Sequence, residues 1–109
     1  MSASTQEDVG GELTVRHAED ARGGAFFVEA GGERVAEMTY TRPSDGRAVI
    51  EHTSVSERLG GRGVGKRLVL AGVEWARATG TKLVPRCSYA RAVLTRDPSL
   101  ADVLDDRAP

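Results

Sequence analysis

At Val55 the spacing of apolar residues changes, and few folds can accommodate that change. Upstream the period is two. Leu13, Val15 and His17 alternate with Glu12, Thr14 and Arg16, and Ala36, Met38 and Tyr40 share one face of their segment. Downstream, Val64, Leu68, Ala71, Trp75 and Ala78 recur at helical spacing. A period of two belongs to half-buried strands and a period near 3.6 to an amphipathic helix. Between the two regimes lies Leu59–Lys66, which contains four glycines and two cations.

Turn residues divide the strand half. Gly31-Gly32 suits a two-residue hairpin turn whose central residues need positive φ, and Pro43-Ser44-Asp45-Gly46 is a second turn. Strands are expected at 13–17, 25–30, 33–42 and 47–55, with a polar connection from Ala18 to Gly24. A loop over 56–61 leads to a helix over 62–79, which Gly80 stops in the usual C-terminal position. A short strand at 81–85 and a helix at 89–96 follow, with Asp97-Pro98 capping a last helical piece that reaches Leu104. Strand, eighteen-residue helix, strand is the length of a crossover that leaves its two strands parallel. The expected fold is α+β: a four-stranded antiparallel meander, a crossover helix, a parallel fifth strand and a short C-terminal helix. One domain over 11–105 is expected, with tails at 1–10 and 106–109.

Composition removes several functional classes. One cysteine and two histidines give no disulfide framework and suggest no metal centre. The absence of a long apolar run and of a basic, apolar N-terminus leads to the expectation of a cytoplasmic protein without a membrane partner. A net charge of −1 argues against a nucleic-acid binder. The halves differ: residues 1–54 hold five basic against ten acidic residues, a net of −5, and the remainder ten against six, a net of +4. An anionic ligand belongs with the second half.

The glycine loop is the place for it. Glycine lets backbone approach a ligand closely, and the first amides of a helix are unpaired donors at a positive dipole end. A phosphate there gains roughly 0.3–2 kcal/mol from the dipole alone, with Arg62, Lys66 and Arg67 nearby in sequence. Gly60 to Lys66 fits seven positions of the nucleotide-binding P-loop, but Arg67 replaces the hydroxyl residue that ligates magnesium. A dinucleotide fingerprint starting at Gly61 needs glycine where Lys66 stands. An unliganded glycine-rich turn is the plain alternative.

The stretch Val55–Leu68, VSERLGGRGVGKRL, resembles the pyrophosphate loop of the GNAT superfamily of acetyl-CoA-dependent N-acetyltransferases. Gly63 and Gly65 take the glycine places of its Arg/Gln-x-x-Gly-x-Gly/Ala pattern, and Val55 the strand end. Gly60 stands where Arg or Gln is usual, a departure for which Arg58 or Arg62 could compensate. His52-Thr53-x-Val55 before the loop and Pro85-x-Cys87-x-Tyr89-Ala90 after it are similar to a minimal subgroup of that superfamily, over most of the chain. The resemblance implies acetyl-CoA or coenzyme A as substrate, held by Val55, Gly60, Gly61, Arg62, Gly63, Val64, Gly65 and Lys66, and an amine acceptor, small molecule or protein. It also implies an open acceptor side, because only Ala18 to Gly24 is available where larger members insert two helices.

Three residues are candidates for the chemistry. Cys87 ends the fifth strand at a helix start beside Arg86, and a helix N-terminus and a cation both favour a thiolate. The resemblance suggests that it could receive the acetyl group. The plainer reading of a lone cysteine is a small apolar filler. His52 is a candidate general base, because histidine as a residue type exchanges protons near neutral pH, or is simply a hydrogen-bonded strand histidine. Glu51, its neighbour, is expected on the opposite sheet face. Tyr89 could protonate the departing thiolate or could only pack in the first turn of its helix. Trp75 reads as core, and His17 and the two phenylalanines carry no functional signal. A non-catalytic acyl-CoA-binding module is the rival to an N-acetyltransferase, and a nucleotide binder is the third reading.

Overall fold

The computed structural model describes residues 13–105. The expected tails, 1–10 and 106–109, lie outside the described residues. The elements in chain order are β1 (Arg16–Glu19), β2 (Gly23–Ala30), β3 (Glu33–Thr41), β4 (Ala48–Val55), α1 (Val64–Thr79), β5 (Leu83–Pro85) and α2 (Ser88–Arg96). Short 3-10 turns at Glu57–Leu59 and Pro98–Leu100 complete the order. The five strands form one sheet in the order β1-β2-β3-β4-β5. The first three pairings are antiparallel and β4–β5 is parallel. This is the meander and right-length crossover that the change of period requires.

The strand half differs from expectation at its start. Leu13 is buried in the core, and Arg67 on α1 donates to its carbonyl, so residues 13–15 leave the ladder and β1 begins at Arg16. The expected connection from Ala18 to Gly24 is mostly strand. Glu19 pairs with Gly24, and Asp20 closes the turn by accepting from the amides of Arg22 at 2.8 Å and Gly23 at 3.2 Å. Gly24 is what allows the pairing, since a Cβ there would stand 2.3 Å from the Ala18 carbonyl oxygen.

α1 buries Val64 and Leu68 as expected, but its inward face continues through Val69, Gly72, Val73 and Ala76. Ala71 and Trp75 are half-buried and Ala78 is exposed. A helical stripe of alanines is ambiguous because alanine tolerates either environment; the β-branched valines and the close fit of Gly72 over Met38 decide the face. Gly80 ends the helix at φ 69°, its amide bonded to the Ala76 carbonyl. α2 starts one residue earlier than expected, at Ser88. The last helical piece is only a 3-10 turn, after which Leu104 bridges in parallel to Leu83. Phe26, Val28, Met38 and Ile50 from the sheet meet Leu68, Val69 and Val73 of α1 and Leu94 of α2 in one core.

His17, silent in the sequence, holds the edge strand to this core. Its ring stacks on Phe26 with centroids 4.1 Å apart, meets Trp75 edge-on at 5.3 Å, and shares a 2.6 Å hydrogen bond with the Tyr40 hydroxyl. Arg42 lies over Trp75 at 5.1 Å. Burial, with Glu19 adding to it, pushes the Tyr40 phenol up to about 12. Burial also lowers the His17 pKa, against the opposing pull of Glu19. A histidine whose folded pKa is depressed stabilises the fold above its unfolded value of about 6.5, and that contribution is lost as pH falls through the folded value. NMR titration should therefore place His17 below 6.5. Urea denaturation should show less stability at pH 5 than at pH 8, a difference that shrinks in His17→Gln. A His17 titration above 6.5 would contradict this packing argument.

Candidate functional site

β4 and β5 pair over only three positions, Ala48–Leu83, Val49–Val84 and Ile50–Pro85. Pro85 has no amide hydrogen with which to extend the ladder. Instead the amides of Arg86 and Cys87 converge on the Ile50 carbonyl, at 3.0 and 3.2 Å, and the chain turns away into α2. Among the described residues β4 therefore continues from Glu51 to Val55 without a ladder partner on its β5 side.

The glycine loop closes one end of this gap. Ser56 caps the 3-10 turn by accepting from the Arg58 amide, and Leu59 anchors the turn in the core. Gly60 ends it, its amide bonded to the Glu57 carbonyl. Gly61 and Gly63 then take φ values of 78° and 69°, the left-handed region where a side chain is strained. A Cβ on either would meet nothing within 4 Å, so the backbone faces open space. α1 begins directly afterwards, without an acidic residue in its first turn. Its first amides, from Gly63 to Lys66, precede the first intrahelical donor at Arg67.

Gly65 serves a different purpose from its neighbours. It is buried, and a Cβ there would lie 2.9 Å from the Tyr89 hydroxyl oxygen. Its lack of a side chain lets the Tyr89 ring lie against α1. The result is a groove of about 370 Å3 running from Thr53 and Val55 past Leu59 and the loop glycines to Tyr89. Six of the eight expected cofactor residues line it: Val55, Gly60, Gly61, Gly63, Val64 and Gly65. Arg62 and Lys66 are exposed beside it and do not line it. Arg67 turns instead to the Leu13 carbonyl and does not line the groove.

Cys87 is half-buried at the N-cap of α2, and its thiol donates to the Thr53 hydroxyl oxygen at 3.5 Å. Burial works to raise its pKa. The Thr53 hydroxyl and the amides of Ala90, Tyr89 and Thr53 outweigh burial and hold the thiol below its ordinary value. Arg86, expected to supply this effect, faces Glu51 at 3.7 Å. Thr53 enters the sequence reading only as a member of the His52-Thr53-x-Val55 motif, with no role of its own; the signal for one is its position, two residues before Val55 on the same strand face.

His52 is not brought into the groove. It is exposed and pairs with Thr39, whereas Thr53 pairs with Met38, which points into the core. A bulge between Thr39 and Tyr40 makes Glu51 the extra residue of β4. Its carboxylate accepts from Thr41 at 3.0 Å, on the face that also carries Thr39. Glu51 and His52 thus share the helix-free face, contrary to simple alternation.

The thiol makes a sharp expectation. In Thr53→Val the hydroxyl that favours the thiolate is gone, so the Cys87 pKa should rise. Alkylation by iodoacetamide as a function of pH should show an inflection below that of a free cysteine in the wild type and a higher one in the variant. Identical profiles would remove Thr53 from the account.

The family model described as GCN5-related N-acetyl-transferase matches residues 25–103. A GCN5-like protein from Staphylococcus aureus, solved by NMR, is 34% identical over 88% of this chain and 91% of its own, with a TM-score of 0.69. An IAA acetyltransferase from Bacillus cereus is 25% identical over 69% of this chain and 53% of its own, with a TM-score of 0.54. A Bacillus anthracis protein crystallised with acetyl coenzyme A shares the fold at 15% identity and a TM-score of 0.54, over 73% of this chain and 48% of its own. The search of curated proteins found no significant match. With a family match over most of its length and a sheet split at the parallel pair above a glycine loop, the chain belongs to the GCN5-related N-acetyltransferase family.

Proposed function

We propose that the protein moves an acetyl group from acetyl-CoA to an amine, through an acetyl thioester on Cys87. The carrying observation is that one groove joins the loop amides to Thr53, which holds a thiol biased toward its reactive form. In this reading the pyrophosphate lies on the amides of Gly61–Gly65 and the pantetheine arm follows the unpaired side of β4.

The Cys87 thiolate attacks the thioester carbonyl; an S–C bond forms to the enzyme and the bond to coenzyme A breaks. Coenzyme A leaves as a thiolate that takes a proton from Tyr89 or water. A neutral amine then attacks the acetyl-cysteine, an N–C bond forms, the C–S bond breaks, and the amine's surplus proton passes to His52 or water. A lysine-like amine at pH 7 is mostly protonated, a deficit of about 4–5 kcal/mol, which positioning and a general base offset. His52 suits an acceptor that arrives at the helix-free face.

A second reading, an acyl-CoA-binding module without turnover, draws on Gly60 in the place of the usual Arg or Gln and on the position of His52 outside the groove. A nucleotide-binding reading of Gly60–Lys66 fits less well, because the strand before the loop belongs to an antiparallel meander.

Acetyl-CoA and free coenzyme A should both raise the melting temperature, ATP should not, and Gly63→Asp should abolish the shift by placing a carboxylate at a positive-φ position facing the phosphates. Intact-mass analysis, quenched early and without acceptor, should show one acetyl group that Cys87→Ala lacks while still binding coenzyme A. An unmodified wild type at every time point, with undiminished turnover by Cys87→Ala, would reject the covalent route. Stabilisation without any release of thiol across an amine panel would favour the binding module.

A further inference from the structure

The Cys87 sulfur is surrounded by hydrogen-bonding groups that cannot act as a base. The Thr53 hydroxyl lies at 3.5 Å, and backbone amides of Thr53, Tyr89 and Ala90 supply the rest. Among the described residues no carboxylate or imidazole is hydrogen-bonded to it. His52 is exposed and pairs with Thr39 on the helix-free face, away from Thr53. Glu51 is engaged by Thr41 at 3.0 Å and by Arg86 at 3.7 Å. A nucleophile that attacks an acyl group on this sulfur therefore has to arrive already deprotonated. With a pKa near 10.4, a lysine-like amine is neutral to only about 0.04% at pH 7. A thiol with a pKa near 8.5 is thiolate to about 3%, and thiolates are strong nucleophiles. The chemistry at Cys87 favours a thiol acceptor.

The groove narrows the choice of thiol. Its loop end offers backbone amides and no acidic residue in the first turn of α1, which suits a phosphate. Its β4 wall is backbone without a ladder partner on the β5 side among the described residues, which suits an amide-containing arm. Once coenzyme A has left in the first step, a second ligand with both features fits the same groove. We propose a second activity, in which the acetyl group on Cys87 passes to the thiol of a 4′-phosphopantetheine arm; the proposal rests on the acetyl-Cys87 reading above. The acceptor thiol gives its proton to water, and its thiolate attacks the acetyl carbonyl. A new C–S bond forms, the bond to Cys87 breaks, and the electron pair returns to the Cys87 sulfur beside Thr53. The proton released balances the one that coenzyme A takes up on leaving. One thioester replaces another, so no co-reactant is consumed and the transfer runs in either direction.

The full chain, incubated at pH 7 with acetyl-CoA and one acceptor thiol at a time, tests this. The acceptors are 4′-phosphopantetheine, pantetheine and glutathione, and chromatography with mass detection follows each acetyl thioester above the enzyme-free rate. Phosphopantetheine should be acetylated about tenfold faster than pantetheine, through its phosphate on the loop amides, and glutathione more slowly than either. Gly63→Asp should remove the advantage of the phosphate. Cys87→Ala and Cys87→Ser should both lose the enzyme-dependent transfer while keeping the thermal shift with coenzyme A. A carrier protein bearing the arm, used in place of the free arm, tells a tethered acceptor from a small one. Acetyl-Cys87 that forms but passes to none of these thiols would overturn the second activity. Glutathione reacting as fast as phosphopantetheine would overturn the assignment of the arm. Absence of acetyl-Cys87 itself would instead overturn the covalent reading on which the proposal rests.

Discussion

The separation of β4 from β5 depends on one carbonyl. Ile50 accepts from two successive amides, Arg86 and Cys87, directly after a proline that cannot donate. That three-residue junction ends the parallel ladder and starts α2. It brings the Cys87 sulfur to Thr53 and, among the described residues, leaves the last five residues of β4 without a partner on the β5 side. Unpaired backbone at the wall of a groove needs hydrogen-bonding partners from solvent or a ligand. A linear amide-containing arm such as pantetheine has the matching chemistry.

A second constraint acts between the helices. Gly65 admits the Tyr89 ring against the first turn of α1, so that this side chain forms one wall of the groove. The glycines of the loop divide their work accordingly. Gly61 and Gly63 hold left-handed backbone that keeps the amides uncovered, and Gly65 sets the spacing of α1 and α2. The core beneath is ordinary, with Leu68, Val69 and Val73 on Met38 and Ile50, and it gives the loop a rigid base.

Much of this was legible in the sequence because it is local. The change of period at Val55 specified the meander and the crossover, and Gly80 marked the C-terminal end of α1; its start, expected at Arg62, lies two residues later at Val64, after the left-handed backbone of Gly63. Contacts set by register were not legible. Alternation counted along β4 fails at Glu51, where the bulge adds a residue and puts His52 and Glu51 on the same face. Arg67 and Arg86 look like site cations in the sequence, yet Leu13 and Glu51, distant in the chain, take them. His17 showed in the sequence only as one member of an alternation, since its partners come from β2, β3 and α1.

The central claim is that the groove between β4, the glycine loop and Tyr89 is where acetyl-CoA binds. Two-dimensional amide NMR of the isotopically labelled protein, titrated with acetyl-CoA, reads this residue by residue. The account predicts that the largest shifts fall on Thr53, Val55, Gly61, Gly63, Gly65 and Tyr89, while Thr39 and Glu37 on the helix-free face move little. Shifts concentrated on that other face, or a spectrum unchanged at saturating ligand, would contradict it.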